Sequence, residues 1–505
     1  MTTPERAPAP GPSVEPGSGE AGPPREAPQS GPPAALPAPR EPPTEDGWHR
    51  LHPLTPLVRG WKVVAAMLVV VGQQRGGELV DAGLPSRQEA LFSLGLLFGV
   101  AVLAGVYAVL AWRRARYRVD AEALQLQTGV LFRQERQARL DRLQAVDVVR
   151  PLLGRFLGLA ELKLEVAGGR GSGVRLSLLR EHEAQELRNT LLARAAGVAY
   201  EGELAPQAPE HEILAVPVAR SVESLLRSGT TLSLGGALVA VVVAVVVTGQ
   251  AAVLAAVIPI LLGLISATWH RFTTTFGFRV ATSPDGIRLH HGLLTTRSQT
   301  VPPGRVQAVR VSQPLLWRGR DWWQLQVNVA GYEGRGNGEE GQADENVLLT
   351  VGSRAEALRV LHLAVPALSP DDAGPVSAGL TGRGPEGGFV PAPRSSRWVD
   401  PVGWRRHGVQ VLDHALLLRR GALGRQLDVV PHARTQSLAL TQGPLQRRLS
   451  LVTFVVHSTR GPVTPTVEHL APDVARRLLD QQAARARTAR GAAGDADHGR
   501  WMVGR

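Results

Sequence analysis

The segment "VPPGRVQAVRVSQPLLW" (residues 301–317) decides the fold, because two variants of it occur elsewhere in the chain. "LDRLQAVDVVRPLLGRF" occupies residues 140–156, and "PHARTQSLALTQGPLQRRL" occupies residues 431–449. In each copy a glycine that opens a Gly-x-Leu turn stands fifteen residues before the glutamine. A proline follows that glutamine after seven or eight residues, and another glycine stands seventeen residues beyond the proline. Agreement in so many spacings predicts three copies of one structural unit.

Each copy has the pattern of short antiparallel strands followed by one helix. "YRVDAEALQLQTGVLFRQERQARL" (117–140) alternates in polarity around Gly129, and "LKLEVAGGRGSGVRLSLL" (162–179) contains a glycine-rich turn, so both predict hairpins. Each copy ends in a segment with the periodicity of an amphipathic helix, at residues 181–195, 353–365 and 470–486. We therefore predict an α+β fold in which a strongly bent antiparallel sheet is plugged by a C-terminal helix.

Four apolar runs precede the first two copies, at residues 57–72, 89–112, 231–249 and 251–269. The last three are long enough to cross a hydrocarbon core of about 30 Å as helices. The first run is shorter and carries Arg59 and Lys62, so the sequence leaves open whether it spans the bilayer fully. Taken in pairs, the runs predict four transmembrane helices in two hairpins, at 57–112 and 228–270.

Basic residues stand beside the ends of the second, third and fourth apolar runs. "WRRARYR" follows the second run, Arg220 and Arg227 precede the third, and "WHRF" ends the fourth, whereas the turn at 249–250 is uncharged. Because cytoplasmic flanks are rich in Arg and Lys, we predict a multi-pass protein of the cell membrane with both termini and all three copies in the cytoplasm. Trp61, Trp112 and Trp269 stand at the same ends, as an aromatic belt requires.

Composition limits the classes of function. A chain of 505 residues is multidomain, and its net charge of +12 would suit an anionic membrane surface. That charge is carried almost entirely by Arg in a chain rich in Ala, Gly and Pro, so it is only suggestive, and we predict no nucleic-acid partner. The absence of cysteine excludes disulfides, thiolate nucleophiles and Cys-based zinc sites. The N-terminus has no apolar region typical of a cleaved signal peptide.

These motifs resemble the membrane-flanked bacterial pleckstrin-homology-like (PH-like) proteins, whose units commonly occur two or three to a chain after pairs of transmembrane helices. The residues that carry the resemblance are "YRVDAEALQLQTGVL…RLQAV…PLLGRFLGLAELKLEVAG" in the first copy and "FRVATSPDGIRLHHGLL…RVQAV…PLLWRGRDWWQLQVNVAG" in the second. The third copy, "HGVQVLDHALLLRRGAL…RTQSL…GPLQRRLSLVTFVVHS", is more divergent and has no membrane pair before it.

The resemblance implies three PH-like domains between less structured segments. The predicted boundaries are a disordered Pro-rich tail at 1–47, PH-like domains at 113–200, 271–367 and 401–488, a Gly/Pro-rich linker at 368–400 and a disordered tail at 489–505.

No catalytic motif or metal-ligand spacing occurs, so we predict that the protein is not an enzyme and has no cofactor. The repeated Arg-x-Gln supplies the candidate contacts with a partner or lipid: Arg142, Gln144, Arg305, Gln307, Arg434 and Gln436. A structural role is the favoured alternative, because a feature present in all three copies is what a fold needs. A second candidate is the basic cluster at the inner leaflet: Arg113, Arg114, Arg116 and Arg118.

We therefore expect a scaffold that presents three interaction modules at the inner membrane face. The expected partners are membrane lipids together with other membrane-proximal proteins or further copies of the chain. The alternative is a protein that handles anionic lipids or small molecules, with its PH-like domains gating or regulating the membrane helices.

Overall fold

The computed structural model describes residues 47–55, 87–120, 122–129, 133–166, 173–195, 210–248, 252–283, 286–330 and 346–500. Residues 1–46 of the predicted tail and the first apolar run (57–72) lie outside these described residues.

Unit 1 begins with a short strand that precedes the apolar helix. Its elements are β1 (His49–Arg50), α1 (Arg87–Arg114), β2 (Arg116–Val119), β3 (Ala123–Thr128), β4 (Gln134–Arg139), β5 (Leu143–Pro151), α2 (Leu152–Phe156), β6 (Leu159–Val166), β7 (Val174–Arg180) and α3 (Glu181–Ala195). Ala184 and Leu191 of α3 are buried in one core with Leu162 and Leu164 of β6. The predicted C-terminal plug is therefore present.

Unit 2 has the same order of strands and closing helix, with three helices after its first strand. It consists of β8 (His211–Ala215), α4 (Val218–Leu226), α5 (Gly229–Thr248), α6 (Ala252–Thr275), β9 (Arg279–Ser283), β10 (Gly286–His291), β11 (Thr295–Val301), β12 (Val306–Gln313), β13 (Trp322–Val329), β14 (Val347–Ser353) and α7 (Arg354–Ala364). Ser353 begins α7 with a capping box, since its hydroxyl accepts from Glu356 N and the Glu356 carboxylate accepts from Ser353 N at 2.7 Å. Trp317 and Trp323 fill the core.

Unit 3 has no apolar hairpin. Its elements are α8 (Ala373–Thr381), β15 (Val390–Pro391), β16 (Gly408–Val411), β17 (Ala415–Arg420), β18 (Arg425–Pro431), β19 (Ser437–Thr441), α9 (Pro444–Arg448), β20 (Val452–His457), β21 (Thr466–Leu470) and α10 (Pro472–Arg500).

The sheets run continuously from one unit into the next. One seven-stranded sheet has the order β7-β6-β5-β11-β10-β9-β8, and the other has the order β14-β13-β12-β18-β17-β16-β15. The second half of each unit thus pairs edge to edge with the first half of its successor. In both junctions the residue before the repeated proline pairs with the fourth residue after the Gly-x-Leu glycine: Arg150 with Thr296, and Gln313 with Arg425. Both junctions therefore have the same register.

The apolar helices are inserted inside the units. Helix α1 follows β1, and helices α4 to α6 lie between β8 and β9, which pair with each other. The predicted domain starts at 113, 271 and 401 are therefore too late, because a first strand stands before each insertion, at residues 49, 211 and 390. A two-residue or five-residue strand ahead of a long helix gives too short a pattern to be recognised in a sequence.

Two segments predicted to be irregular are folded. Within the predicted linker at 368–400, Val376 and Leu380 of α8 are buried in the same core as Leu427 of β18. Helix α10 continues to Arg500, so residues 489–500 are helical rather than a disordered tail. Apolar contacts in the core stabilise α8, and the Ala- and Arg-rich composition of α10 favours a helix. In both segments these effects outweigh the Gly and Pro content that predicts irregular structure.

The apolar helices leave large side chains uncovered by protein. Within the described residues, one stretch is long and apolar enough to cross a membrane, Gly229–Val247 of α5, and 6% of it is buried. Phe98 and Leu103 of α1 and Ile265 and Trp269 of α6 are likewise exposed. Helices α1 and α6 coincide with the second and fourth predicted runs.

Candidate functional site

The Arg-x-Gln motifs lie where a short 3₁₀ turn enters the second half of each unit. The turns are Leu140–Arg142, Pro303–Arg305 and His432–Arg434. Arg142 is exposed, whereas Arg305 of unit 2 donates from Nη2 to Leu143 O of unit 1 at 3.3 Å. Arg434 Nη2 lies 3.9 Å from the position that a Cβ on Gly304 would occupy. The motif arginines of units 2 and 3 thus lie at the junctions with the preceding unit.

The motif glutamines have different surroundings. Gln307 is buried and donates from Nε2 to Arg305 O at 3.3 Å, which is the structural role considered above. Gln436 is exposed, and its backbone N donates to His457 O at 3.1 Å. The side chain of Gln144 lies outside the described part of the chain. The motif therefore does not form one common pocket, and among the motif side chains that the structure describes the exposed ones are Arg142 and Gln436.

Polar groups that sequence reasoning missed join units 2 and 3. Arg310 of β12 forms a bidentate pair with Asp428 of β18, at 2.6 and 3.0 Å, and the Asp428 side chain is fully buried. Asn328 donates from Nδ2 to Val463 O at 2.6 Å and accepts from Val463 N at 2.9 Å. These buried ionic and amide groups fix the position of unit 3 against unit 2, because any other arrangement of the two units would leave the groups unpaired.

The predicted basic cluster lies at the end of α1 and on β2. Arg113, Arg114 and Arg116 are exposed, and Arg118 is half-buried and paired with Asp120. Beside them Tyr117 stacks on His49 with ring centroids 5.3 Å apart, and burial, aided by the charge of Glu183, raises the pKa of Tyr117 to about 12. Three guanidinium groups are therefore accessible to anions at the end of an uncovered apolar helix.

Helix α4 presents three large apolar residues outward and its serines inward. Val218, Val222 and Leu226 recur every four residues and are exposed, while Ser221 and Ser224 are buried against unit 2. The Trp317 indole donates to Ser224 O at 3.2 Å. This polarity is opposite to that of a helix on the surface of a soluble domain, and it is typical of a helix lying in a bilayer interface. The sequence signal, a four-residue apolar spacing just before α5, was available.

The repeated Pro-Leu and Gly-x-Leu turns also expose apolar side chains. In the Pro-Leu turns Leu152, Leu153, Leu315, Leu316 and Leu445 are exposed, and in the Gly-x-Leu turns Leu294 and Leu423 are exposed. Gly292 N and Leu293 N donate to Phe276 O and Thr273 O at the end of α6, each at 2.8 Å. Leucines that recur in a motif and are exposed indicate a surface for contact rather than a core.

A polar cavity of about 370 Å³ lies between α4, the end of α6 and strands β13 and β14. His270, Arg271 and the hydroxyl-bearing residues Ser221 and Thr350 are among the residues that line it. The Ser221 and Thr350 hydroxyls are buried and have no hydrogen-bond partner among the described residues. This cavity can accept a polar group that supplies hydrogen bonds to these hydroxyls. The described residues contain no group of three or more His, Asp or Glu that could hold a metal.

The chain is similar to a known family and to one curated protein. It matches the family model described as "Bacterial PH domain" in three segments, at residues 77–195, 232–364 and 388–486. It is 25% identical over 119 residues to the UPF0699 transmembrane protein YdbT of Bacillus subtilis (strain 168). That alignment covers 23% of this chain and 24% of the relative, so the chain matches about a quarter of the relative's length.

Proposed function

Because the chain belongs to the bacterial PH domain family, which matches more than half of its length, we propose that it is a multi-pass membrane protein that acts as a scaffold. Four transmembrane helices in two hairpins hold three PH-like units at the cytoplasmic face of the cell membrane. The role is non-enzymatic, and the units bind membrane-proximal proteins or further copies of the chain.

The observation that carries this proposal is the continuous pairing of the sheets across both junctions. Two seven-stranded sheets join consecutive units, and the buried Arg310–Asp428 pair holds units 2 and 3 together. Uncovered apolar helices are inserted in units 1 and 2, and such helices need hydrocarbon as their solvent. Like modules that are joined through their sheets beside a bilayer are suited to positioning partners.

Topology can be tested by cysteine accessibility, because the chain has no native cysteine to contribute background. Single cysteines at Gln137, Gly319 and Ser437 report on the three units, and one at Gly249 reports on the connection between α5 and α6. In intact cells a membrane-impermeant maleimide should label position 249 only, and the other three should react after lysis. Labelling of any unit in intact cells would refute the cytoplasmic orientation.

The scaffold role can be tested by photo-crosslinking in intact membranes. A photoreactive residue at Arg142 or Gln436, the exposed motif positions, should yield a discrete protein adduct that persists at high salt. Gln307 is the matched control, since it is the buried member of the same motif. Adducts to lipid alone at both exposed positions would exclude these positions from protein recognition.

The alternative, handling of an anionic lipid or small molecule, is favoured by the cavity between α4, α6, β13 and β14. Its unpaired hydroxyls and its basic residues suit a phosphate-bearing headgroup. Native mass spectrometry of the detergent-extracted protein should then show a bound anionic lipid that is lost in Thr350→Val. Equal lipid retention in both proteins would exclude this cavity.

A further inference from the structure

Unit 3 carries a short insertion at the point where the other units carry apolar helices. Residues 392–407 separate β15 from β16, just as helices α4 to α6 separate β8 from β9. The insertion contains two 3₁₀ turns, Arg394–Trp398 and Trp404–Arg406. It is too short to cross a bilayer, which requires about 20 residues per helix.

The insertion nevertheless has the composition of a membrane interface. Trp398 and Val402 are 71% and 64% exposed. The Arg397 guanidinium lies 5.2 Å from the Trp398 ring centroid, and Arg394 and Arg405 are exposed nearby in the chain. Tryptophan beside arginine is characteristic of the headgroup region, where the indole is half in hydrocarbon and the cations meet lipid phosphates.

The apolar residues are held outward by a rigid frame. Ser396 is buried, and its Oγ donates to Pro393 O at 2.5 Å. Gly403 N donates to Asp400 Oδ1, and the His407 Nε2 lies 2.7 Å from Asp400 Oδ2. Arg406 is buried and donates to three carbonyl oxygens at the end of α8, those of Gly379, Leu380 and Gly382. Exposure of Trp398 and Val402 is therefore a property of the fold.

The repeat places this insertion at the position that the apolar helices occupy in unit 2. There the helices leave between the paired strands β8 and β9, and in unit 3 the insertion leaves between the paired strands β15 and β16. The strand register is also the same at the two junctions between units. In the proposed function the insertion points of units 1 and 2 lie at one bilayer, and the equivalent point of unit 3 carries residues suited to the same surface.

We propose that residues 394–406 are an interfacial anchor that seats unit 3 on the lipid surface. Trp398 and Val402 enter the interface, and Arg394, Arg397 and Arg405 contact the headgroup phosphates. The inference rests on the proposed membrane insertion of α5 and adds a third point of attachment that no transmembrane helix provides.

The test uses the full chain in vesicles of phosphatidylcholine and phosphatidylglycerol, with an environment-sensitive fluorophore on a single cysteine. Fluorophore at Val402→Cys should be quenched by lipid spin-labelled near the headgroup and protected from aqueous iodide. Arg477→Cys, on the exposed face of α10, is the matched control and should show iodide quenching alone. Equal iodide quenching at positions 402 and 477, without lipid quenching at 402, would overturn the anchor.

Two further measurements separate this inference from the proposed function. Fluorophore at Val239→Cys, an exposed position midway along α5, should be quenched by deep spin labels; if it is quenched and position 402 is not, the anchor alone fails. If neither is quenched, the membrane insertion of α5 fails as well. Trp398→Ser should abolish the lipid quenching at position 402 without changing the melting temperature, because its side chain is mostly outside the core.

Discussion

Removing the Asp428 carboxylate is expected to weaken the junction between units 2 and 3 severely. The side chain of Asp428 is fully buried, and Arg310 contacts both of its oxygens. Arg310 also donates to Pro462 O at 3.2 Å and Thr464 O at 3.0 Å, so all of these hydrogen bonds go to unit 3. Arg420 Nη2 also lies 3.7 Å from Asp428 Oδ2.

The size of the effect follows from what Asp428→Ala leaves behind. Arg310 and Arg420 would remain in the junction without their anion, and breaking a buried pair from one side costs about 3–5 kcal/mol of unfolding free energy. For a cooperative unit of a few hundred residues, this corresponds to a fall in melting temperature on the order of 10 °C. Burial already lowers the pKa of Arg420, whereas the charge of Asp428 acts in the opposite direction.

Thermal unfolding of the detergent-solubilised chain, followed by tryptophan fluorescence, measures this effect. Glu212→Ala is the matched control, because its pair with Arg279 is largely exposed and its loss should leave the melting temperature nearly unchanged. Arg310→Met/Asp428→Leu should recover most of the loss, since apolar residues of similar volume can replace a buried pair. A wild-type melting temperature for Asp428→Ala, or a double variant as unstable as the single one, would refute the reasoning.

Three further predictions concern the fold of units 2 and 3. Gly421→Ala should destabilise the protein by about 1–3 kcal/mol, because φ at this position is +78° and the added Cβ would lie 2.0 Å from Gly424 O. The control Gly319→Ala, whose Cβ would contact no other atom, should unfold at the same urea concentration as the wild type. Burial lowers the pKa of His432, so below about pH 6.5 the unfolded chain binds a proton that the folded chain does not, and the stability present above that pH is lost as the pH falls. The melting temperature should therefore drop between pH 7.5 and 5, and it should drop less in His432→Gln. Ser353→Ala should cost about 1 kcal/mol in the same unfolding assay, through loss of the α7 cap, and an unchanged midpoint would contradict that role.

The local pattern of the chain predicts the units well because spacing and polarity act over short distances. Alternation around Gly129 and the helical repeat at 181–195 each report a single element, and the structure contains both. Edge pairing between units joins residues such as Arg150 and Thr296, which are far apart in sequence. Such pairing depends on register and shape between segments that are distant in sequence, and no local signal specifies it.

The candidate site shows a different limit of sequence reasoning. Leu152 and Leu315 belong to a repeated motif, and a repeated leucine is ordinarily a core residue, yet both are exposed. The outward face of α4 depends on Val218, Val222 and Leu226 having no protein against them, which only the tertiary structure shows. Spacing alone identifies the Arg-x-Gln motif. Which of its residues contact another unit and which are exposed depends on how each unit pairs with the next, and the motif itself does not show this.

The placement of α5 and α6 between paired strands β8 and β9 has a consequence for biogenesis. Strand β8 leaves the ribosome before the apolar helices, and β9 leaves after them. Leu214 can therefore pair with Val280 only after α5 and α6 have folded into a hairpin that brings β8 and β9 together. In the proposed topology, a chain whose hairpin fails to insert would keep an unpaired first strand, and such an incompletely folded chain is open to removal by proteases.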